Sequence, residues 1–488
     1  MTSDKKNQLM EDAYHQIKGY KQTVDAGPHR LHYHLMPPVG LLNDPNGLIY
    51  FQNNYHVFFQ WNPFETAHGA KFWGHYMSAD MVNWEFAPIA LAPDKWYDKN
   101  GCYSGSAIVH HDRLYLFYTG NVKDEQDNRE SYQCLAVSDD GITFEKKGPI
   151  INVPEGYTAH FRDPKVFQHG NDWYMVLGAQ TKTKQGQVVL YRSEDLETWT
   201  FLGPIAGSKL NGLGDFGYMW ECPDLFQLDG KDILVASPQG LEPQGMNFQN
   251  IYQAGYFAGE IDLQTQKFTH DSFVELDRGF DFYAPQTFTA GERRILIGWM
   301  GNAEEEGPPQ PTVNHNWIHT LTIPRELRWK RNALYQTPIK ELEALRENEV
   351  SHQQLKLTNQ SIELPNVNGN VFEIEVAISE WNANRFTIRI GKSVLTYDDT
   401  NSVLTYERMG RDGQLESRAC ELEQLNHIRI FKDTSSIEIF ANHGQEVFSS
   451  RQFDDWQDKR IVFQTDGIHI MDVTKWDLKP FMVADKSV

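Results

Sequence analysis

The fold is decided by Asp44-Pro45-Asn46-Gly47 and the two apolar runs that follow it, GLIYF over 47–51 and YHVFFQ over 55–60, with the polar turn QNN between them. Four further segments repeat this plan at intervals of about sixty residues, beginning at Ser104, Arg162, Glu221 and Tyr283. Such a period, built from short antiparallel strands, is typical of a β-propeller in which each repeat forms one four-stranded blade. The sequence therefore predicts an all-β fold with a five-bladed β-propeller.

Three of the repeats carry an acid at the same phase, namely Asp44, Asp163 and Glu221. Because the first strand of every blade lines the central channel, equivalent positions in different repeats converge on one axis. Three carboxylates in one small pocket repel one another, so a pocket that gathers them is expected to use them. This convergence is the first indication of function.

The rest of the chain predicts a second domain, since 488 residues exceed what one core usually serves. From about residue 352, alternating apolar residues between Asn, Asp and Gly turns predict about seven short strands, which is typical of a β-sandwich. Apolar residues at helical spacing predict a short N-terminal helix around Leu9 to Ile17 and a linker helix that carries Ile339, Leu342 and Leu345. The expected organisation is a helical extension over 1–30, a catalytic propeller over 31–335, a linker helix over 336–350 and a β-sandwich over 351–488.

Composition and charge argue against several classes of partner. The formal net charge is −21, from 66 acidic and 45 basic residues, whereas nucleic acids and anionic membranes are bound through an excess of Lys and Arg. No stretch approaches the length of an apolar membrane span, and no apolar run of signal-peptide length follows Lys5 and Lys6. We therefore expect a cytoplasmic protein, and the sequence leaves open whether it forms a homo-oligomer.

Neither a disulfide framework nor a metal site is predicted. The four cysteines are too few and too far apart for a disulfide scaffold or a CxxC zinc site, which favours a reducing compartment. The pairs His32/His34 and His110/His111 have no third ligand at a suitable spacing. We expect no metal and no other cofactor.

The three acids suit the cleavage of a glycosidic bond, which requires one protonated and one ionised carboxyl group. The apolar neighbours of Glu221, Trp220 and Cys222, favour its protonated form and hence the role of proton donor. Asp44 lies in a turn with open amides that favour a carboxylate, and it is the candidate nucleophile. Asp163, next to Arg162, is assigned to sugar binding and transition-state support. A lone Asp-Pro-Asn-Gly is simply a good turn, and only the shared phase of the three acids makes the assignment specific.

Six ordered motifs also carry a family resemblance: LNDPNG at 42–47, QWNP at 60–63, YSGS at 103–106, RDP at 162–164, ECPD at 221–224 and DFYA at 281–284. Together they resemble glycoside hydrolase family 32, the β-fructofuranosidases, from about residue 32 to the C-terminus. The resemblance implies a five-bladed propeller followed by a β-sandwich and hydrolysis with retained configuration. It also implies Asp44 as nucleophile, Glu221 as acid/base and Asp163 as transition-state stabiliser, without a metal.

The same resemblance implies a set of substrate-binding positions: Leu41, Leu42, Asn43, Gln60, Trp73, Tyr103, Ser104, Arg162, Asp281 and Trp299. The sequence departs from many secreted invertases at Leu42, near a frequent aromatic-Met pair, and at His68, where Trp is common. Both departures concern the leaving-group side of the pocket. His68 and Lys71 could contact a phosphate on the glucose unit, although a solvated loop is the simpler interpretation.

These expectations combine into a cytoplasmic β-fructosidase that releases fructose from sucrose 6-phosphate or sucrose, with a small-molecule sugar as its partner. The preference for the phosphorylated disaccharide follows from the expected location, because sugar imported by a phosphotransferase system arrives phosphorylated. A levanase or inulinase acting on fructan polymers is the alternative within the same class. A carbohydrate-binding propeller without catalysis is the alternative from another class, but it leaves the three acids without a use.

Overall fold

The five apolar hairpins each open a separate sheet in the computed structural model, which describes residues 2–304, 307–481 and 483–485. The first two blades contain β1 Gly40–Phe51, β2 Asn54–Asn62, β3 Phe72–Ser78, β4 Trp84–Phe86, β5 Cys102–His110, β6 Arg113–Lys123, β7 Arg129–Ser138 and β8 Glu145–Asn152. The third blade contains β9 Tyr157–His169, β10 Asp172–Thr181, β11 Gly186–Ser193 and β12 Thr200–Gly207. The predicted five-bladed propeller is confirmed.

The last two blades close the ring. Their strands are β13 Met219–Leu228, β14 Lys231–Gln239, β15 Gly255–Asp262, β16 Lys267–His270, β17 Val274–Glu275, β18 Tyr283–Ala290, β19 Arg293–Met300, β20 Trp317–Ile318, β21 Thr320–Leu321, β22 Arg325–Lys330 and β23 Ala333–Pro338. β20 leaves the fifth blade and pairs in parallel with Gly40 and Leu41 at the start of β1. This pairing ties the end of the propeller to its first strand.

The segments expected to be turns are bulges inside the innermost strands. In each of the five inner strands the pairing register gains one residue at the equivalent place, within 42–45, 103–105, 162–165, 221–224 and 283–286. Asp163 and Cys222 adopt left-handed backbone angles there, with φ of 67° and 47°. A bulge bends the strand and re-aims its side chains, so consecutive residues can face the same channel. The Asp-Pro-Asn-Gly turn expected at Asp44 is therefore a bulge within β1.

The C-terminal domain is the predicted β-sandwich. Its strands are β24 Arg346–Thr358, β25 Ser361–Asn368, β26 Phe372–Asn382, β27 Arg385–Ile390, β28 Ser393–Asp398, β29 Val403–Met409, β30 Leu415–Glu421, β31 His427–Asp433, β32 Ser436–Ala441, β33 Glu446–Arg451, β34 Arg460–Thr465 and β35 Ile468–Leu478. They form two six-stranded sheets, in the orders β24-β35-β26-β31-β32-β33 and β25-β34-β27-β28-β29-β30. The sequence missed strands such as β24 and β30 because most of their residues are exposed or half-buried, which blurs the alternation of apolar and polar residues.

Helical structure is sparse in the described residues. The predicted N-terminal helix is confirmed as α1, Thr2–Asp25. Of the apolar residues that predicted it, Ile17 is buried, and Leu9, Met10 and Tyr14 are partly buried against the same core. Three short 3-10 helices cover Trp96–Asp98, Pro311–His315 and Lys340–Leu345. No helix in the described part of the chain is both long and apolar enough to cross a membrane.

The link between the domains differs from the helix expected over 336–350. The chain continues as β23 up to Pro338, forms one 3-10 helix over Lys340–Leu345 and enters β24 at Arg346. Ile339, Leu342 and Leu345 are buried at a spacing of three residues, which matches the three-residue turn of a 3-10 helix rather than the 3.6-residue turn of an α-helix.

The two domains pack through a continuous apolar contact. Phe431, Phe440 and Val447 of the sandwich belong to the same buried cluster as the apolar residues of the first, fourth and fifth blades. A parallel pairing of β36, Val483–Asp485, with β4 adds the C-terminal segment to the outer edge of the first blade. The sandwich thus supports the propeller from the side, and the channel at the propeller axis carries the acids.

Candidate active site

Asp44, Asp163 and Glu221 line one cavity of about 460 Å³ at the centre of the propeller. They come from β1, β9 and β13, the inner strands of the first, third and fourth blades. The cavity has the size of a small-molecule site. The convergence predicted from the repeat is therefore observed.

Asp44 is buried and surrounded by hydrogen-bond donors. Its Oδ2 accepts hydrogen bonds from Gln60 Nε2 at 3.0 Å and from the Ser104 hydroxyl, and its Oδ1 accepts one from Asn43 Nδ2 at 3.1 Å. Burial raises the pKa of Asp44, and the hydrogen bonds from Ser104 and Asn43 oppose that rise. The donors fix the carboxylate in one orientation, as a nucleophile requires.

Asp163 sits at the left-handed position of the third bulge and faces the backbone of the fourth blade. Its Oδ2 accepts a hydrogen bond from the Cys222 amide at 2.9 Å, and its own amide donates to Thr119 Oγ1 at 3.0 Å. Burial raises the pKa of Asp163 to about 7; the Arg162 charge opposes this rise, and the charges of Glu221 and Asp44 add to it. A carboxyl group whose pKa is raised so far at a cavity wall is a marker of function.

Glu221 is held by polar partners rather than by an apolar shell. Its Oε1 accepts hydrogen bonds from Arg162 Nε at 2.8 Å and Nη2 at 2.6 Å, and its Oε2 accepts bonds from Tyr283 Oη at 2.7 Å and Gln239 Nε2 at 2.8 Å. Trp220 points away and packs against Phe257. The expected apolar surroundings of Glu221 are therefore wrong, because sequence neighbours on a strand alternate between faces.

The bulges explain how neighbouring residues share the cavity. Asn43 with Asp44, and Arg162 with Asp163, line it as adjacent pairs, which a regular strand would place on opposite faces. Cys222, directly after Glu221, places its Sγ 3.6 Å from Asp44 Oδ2 and 3.7 Å from Asp163 Oδ2. The extra residue in each strand therefore packs more side chains into the site than an alternating strand would.

Most of the remaining predicted residues fall into two groups around the acids. Asn43, Gln60, Tyr103, Arg162 and Trp299 line the cavity directly. Ser104 and Trp73 lie behind it: Ser104 donates to Asp44, and Trp73 Nε1 donates to the Tyr103 carbonyl at 3.0 Å. These two residues position the wall instead of forming its surface.

The other three predicted residues, Leu41, Leu42 and Asp281, do not line this cavity either. Leu41 and Leu42 are buried, Leu42 in the apolar core. Asp281 lies at the contact between the domains, where its Oδ2 accepts hydrogen bonds from Arg408 and, at 2.9 Å, from the Arg451 amide. The residue of that motif that reaches Glu221 is Tyr283.

Sequence reasoning named Lys71 only as an alternative phosphate contact and left the other lining residues of this wall unassigned. Lys71, Asn100, Asn121, Lys123 and Arg129 complete the wall on the side of the first and second blades. The solvated-loop interpretation is wrong for Lys71, which is only 3% exposed. His68 is exposed, but it lines the cavity, and its ring centroid lies 6.2 Å from that of Trp299. The sequence did contain a signal for the burial of Lys71. This lysine directly precedes the apolar strand Phe72–Ser78, whose residues are mostly buried in the blade.

The described residues contain no group of three or more His, Cys, Asp or Glu side chains arranged to hold a metal ion. His34, from one of the histidine pairs, lies instead between two carboxylates at the domain contact, with Nδ1 2.8 Å from Asp433 Oδ2 and Nε2 3.0 Å from Glu438 Oε1.

Comparisons with known proteins agree with this arrangement. Residues 34–338 match the glycosyl hydrolases family 32 N-terminal domain, and residues 341–477 match the glycosyl hydrolases family 32 C-terminal model. A sucrose-6-phosphate hydrolase of Bacillus subtilis is 50% identical over 475 residues, which cover 96% of this chain and 98% of that protein.

Solved structures agree as well. The structure of sucrose-6-phosphate hydrolase from Lactobacillus gasseri superimposes with a TM-score of 0.87 at 32% identity, over 96% of both chains. A β-fructofuranosidase mutant of Bombyx mori in complex with sucrose gives a TM-score of 0.83 at 35% identity, over 97% of this chain and 99% of that one. The family models cover nearly the whole chain, and the structural matches extend over both domains. The chain belongs to glycoside hydrolase family 32.

Proposed function

We propose that the enzyme hydrolyses the fructofuranosidic bond of sucrose 6-phosphate, and of sucrose less efficiently, with release of fructose. The observation that carries this proposal is the single cavity in which Asp44, Asp163 and Glu221 meet. The 50% identical relative is a sucrose-6-phosphate hydrolase, which supports the phosphorylated disaccharide as substrate. In the first step, Asp44 attacks the anomeric carbon of the fructosyl unit while Glu221 donates a proton to the departing oxygen.

The second step uses the same two residues. Glu221 accepts a proton from water, and the water releases fructose from Asp44 with net retention of configuration. The partners of Glu221 suit this double use, because Arg162 and Tyr283 hold its two oxygens in place through both steps. Gln60, Asn43 and Ser104 orient Asp44 in the same way, so little reorganisation is needed during attack.

Asp163 takes the role of a fructosyl-binding group. Its Oδ2 is held by the Cys222 amide, and sugar hydroxyl groups are natural donors to a carboxylate at a cavity wall. Bonds that strengthen as charge develops on the sugar ring lower the barrier to its transfer.

We also place the enzyme in the cytoplasm. All four cysteines are buried free thiols, which suits a reducing compartment.

The substrate assignment is tested by measuring kcat/KM for sucrose 6-phosphate, sucrose, inulin and levan with the purified enzyme. We expect the highest value with sucrose 6-phosphate and the lowest values with the polymers. A polymer preference would make the enzyme a fructan hydrolase, and sugar binding without release of reducing sugar would support the binding-module alternative.

The role of Glu221 is tested with two kinds of substrate. Glu221→Gln should reduce turnover of sucrose strongly, by the loss of about 10²- to 10⁴-fold that general acid catalysis supplies. A fructoside with a good leaving group needs no such proton and should lose much less. Equal losses on both substrates would contradict the assignment.

A further inference from the structure

The ammonium group of Lys71 is buried in the cavity wall without a hydrogen-bond partner among the described residues. The residue is 3% exposed and lies directly before β3. Lysine is almost never fully buried unless its charge is paired, because removal of an ammonium group from water is costly. Burial lowers the pKa of Lys71 to about 7, and the Asp44 charge opposes this decrease only in part. The position suits an anion that arrives with the ligand.

Two further cations lie on the same wall. Lys123 of β6 and Arg129 of β7 face each other directly across the strand pair, and both line the cavity. Like charges at such a position repel each other, and an anion bound beside them would relieve that repulsion. Lys123 is already paired with Asp127 at 2.7 Å. The Arg129 guanidinium lies over the Tyr103 ring at 5.7 Å, and no salt bridge joins it to a carboxylate of the described residues.

The hydrogen bonds that hold the acids come from other groups, although the Asp44 charge acts on Lys71. Arg162 is committed to Glu221 through two of its nitrogens, and Asp44 is held by the uncharged donors Gln60, Asn43 and Ser104. The hydroxyl groups of a neutral sugar cannot balance a buried ammonium, whereas phosphate oxygens can. In a chain with a net charge of −21, this concentration of cations on one wall of a cavity suits an anionic ligand.

We infer that Lys71 and Arg129, with Lys123 beside them, form a binding site for the phosphate group of a phosphorylated leaving hexose. This inference rests on the proposed function and adds the residues that select the substrate. Lys71 contributes a point charge, and Arg129 contributes a planar guanidinium that can bind two phosphate oxygens at once. Recognition is then divided: Asp44, Asp163, Arg162 and their partners bind the fructosyl unit, and the basic wall on the first and second blades binds the leaving group.

The test compares kcat/KM for sucrose 6-phosphate and sucrose in the wild type, Lys71→Met and Arg129→Gln. Lys209→Met serves as the matched control, because Lys209 is an exposed lysine outside the cavity. We expect a loss of about 100-fold with sucrose 6-phosphate in Lys71→Met and about 10-fold in Arg129→Gln, since each removes one partner of a desolvated charge pair. Activity on sucrose should fall much less than activity on sucrose 6-phosphate in either variant, because sucrose carries no phosphate for these cations to bind. Since the Asp44 charge also acts on Lys71, the readout is the ratio of the two kcat/KM values, which should fall by at least about tenfold.

Product inhibition gives a second readout. Glucose 6-phosphate should inhibit the wild type competitively and the Lys71→Met and Arg129→Gln variants much more weakly, while inhibition by fructose stays unchanged. Unchanged inhibition by glucose 6-phosphate in both variants would overturn the inference.

The remaining outcomes separate this inference from the proposed function. Equal losses on both substrates would mean that Lys71 acts through Asp44, and they would overturn the phosphate site. A wild type active on sucrose 6-phosphate, with variants that keep its ratio of the two kcat/KM values, would overturn the site and leave the proposed function intact. A wild type inactive on sucrose 6-phosphate would overturn both. If Lys71→Met does not fold, Arg129→Gln decides alone, because its half-buried side chain lies at the end of a hairpin.

Discussion

Two clusters of buried carboxylates, one in the propeller cavity and one between the propeller and the sandwich, differ in how their charges are balanced. At the domain contact, Asp433 accepts hydrogen bonds from the amides of His32 and Tyr33 and from His34, and Glu438 accepts bonds from His34 and Arg325. Although burial acts in the opposite direction, these partners lower the pKa of Asp433 to about 2 and also lower the pKa of Glu438.

In the cavity the balance is reversed. Burial raises the pKa of both Asp44 and Asp163, and the charges of neighbouring acids add to the rise. Arg162, the cation in direct contact with an acid there, is bound to Glu221. The buried acids at the domain contact are paired with donors and cations and therefore stabilise the fold. The acids of the cavity have too few such partners, which costs stability but leaves their carboxyl groups reactive.

The largest expected effect separates the two clusters by activity. Asp44→Asn removes the nucleophile but leaves the hydrogen bonds of Ser104 and Gln60 with an oxygen acceptor, so the fold should persist. We expect kcat/KM to fall by about 10⁴-fold or more, with no loss of thermal stability. Steady-state kinetics and a thermal melt check this; a retained rate would exclude Asp44 as nucleophile.

The opposite pattern is expected at the domain contact. Arg325 is fully buried and pairs with Asp277 and Glu438, so Arg325→Met leaves two carboxylates without their cation. We expect a loss of about 3–5 kcal/mol in the free energy of unfolding, measured by urea denaturation. The folded fraction should keep kcat/KM close to wild type, and a selective loss of kcat would show that the two clusters are coupled.

For Asp163→Asn we expect a smaller change in the free energy of unfolding, and an increase instead of a decrease. The folded protein raises the pKa of Asp163, so its charge costs stability at pH values above about 4 and most fully above about 7. Removal of the charge should raise the free energy of unfolding at pH 8 by about 1–3 kcal/mol and reduce kcat/KM by about a hundredfold or more. The urea midpoints of the wild type and Asp163→Asn are compared at pH 8. A lower midpoint in the variant would contradict the view that the Asp163 charge lacks sufficient partners in the cavity.

The smallest effect concerns the pH dependence of the domain contact. Burial alone would lower the pKa of His34, but its hydrogen bonds to Asp433 and Glu438 raise it above the usual value. A raised histidine pKa contributes stability that is complete below about pH 6.5 and is lost as the pH rises through the folded-state value. A tenfold difference in proton affinity between the folded and unfolded states corresponds to about 1.4 kcal/mol of this stability.

The change in urea midpoint between pH 6.5 and 9 should therefore be steeper in the wild type than in His34→Gln. Exposed His15→Gln is the matched control and should keep the wild-type slope. Equal slopes in the wild type and His34→Gln would show that His34 does not carry this charge.

The fold was predictable from the sequence because its repeats are regular and its strands alternate clearly. The five hairpins, the sandwich and the helix around Leu9 and Ile17 follow from the period of the apolar residues in the sequence. The exposed strands of the sandwich and the 3-10 helix Lys340–Leu345 were missed, because weak alternation and a three-residue spacing are ambiguous in a short window.

The amino-acid sequence by itself determined that three acids would share the channel. The repeats close into a ring, so residues at equivalent positions of different repeats meet at its axis. Only the tertiary structure decided what surrounds each acid. Glu221 has polar partners from the third, fourth and fifth blades, Asp281 turns to the sandwich and Lys71 is buried in the cavity wall. The physical reason is that local pattern sets which residues face inward, whereas hydrogen bonds and charge balance depend on atoms from distant strands and on bulges that re-aim them.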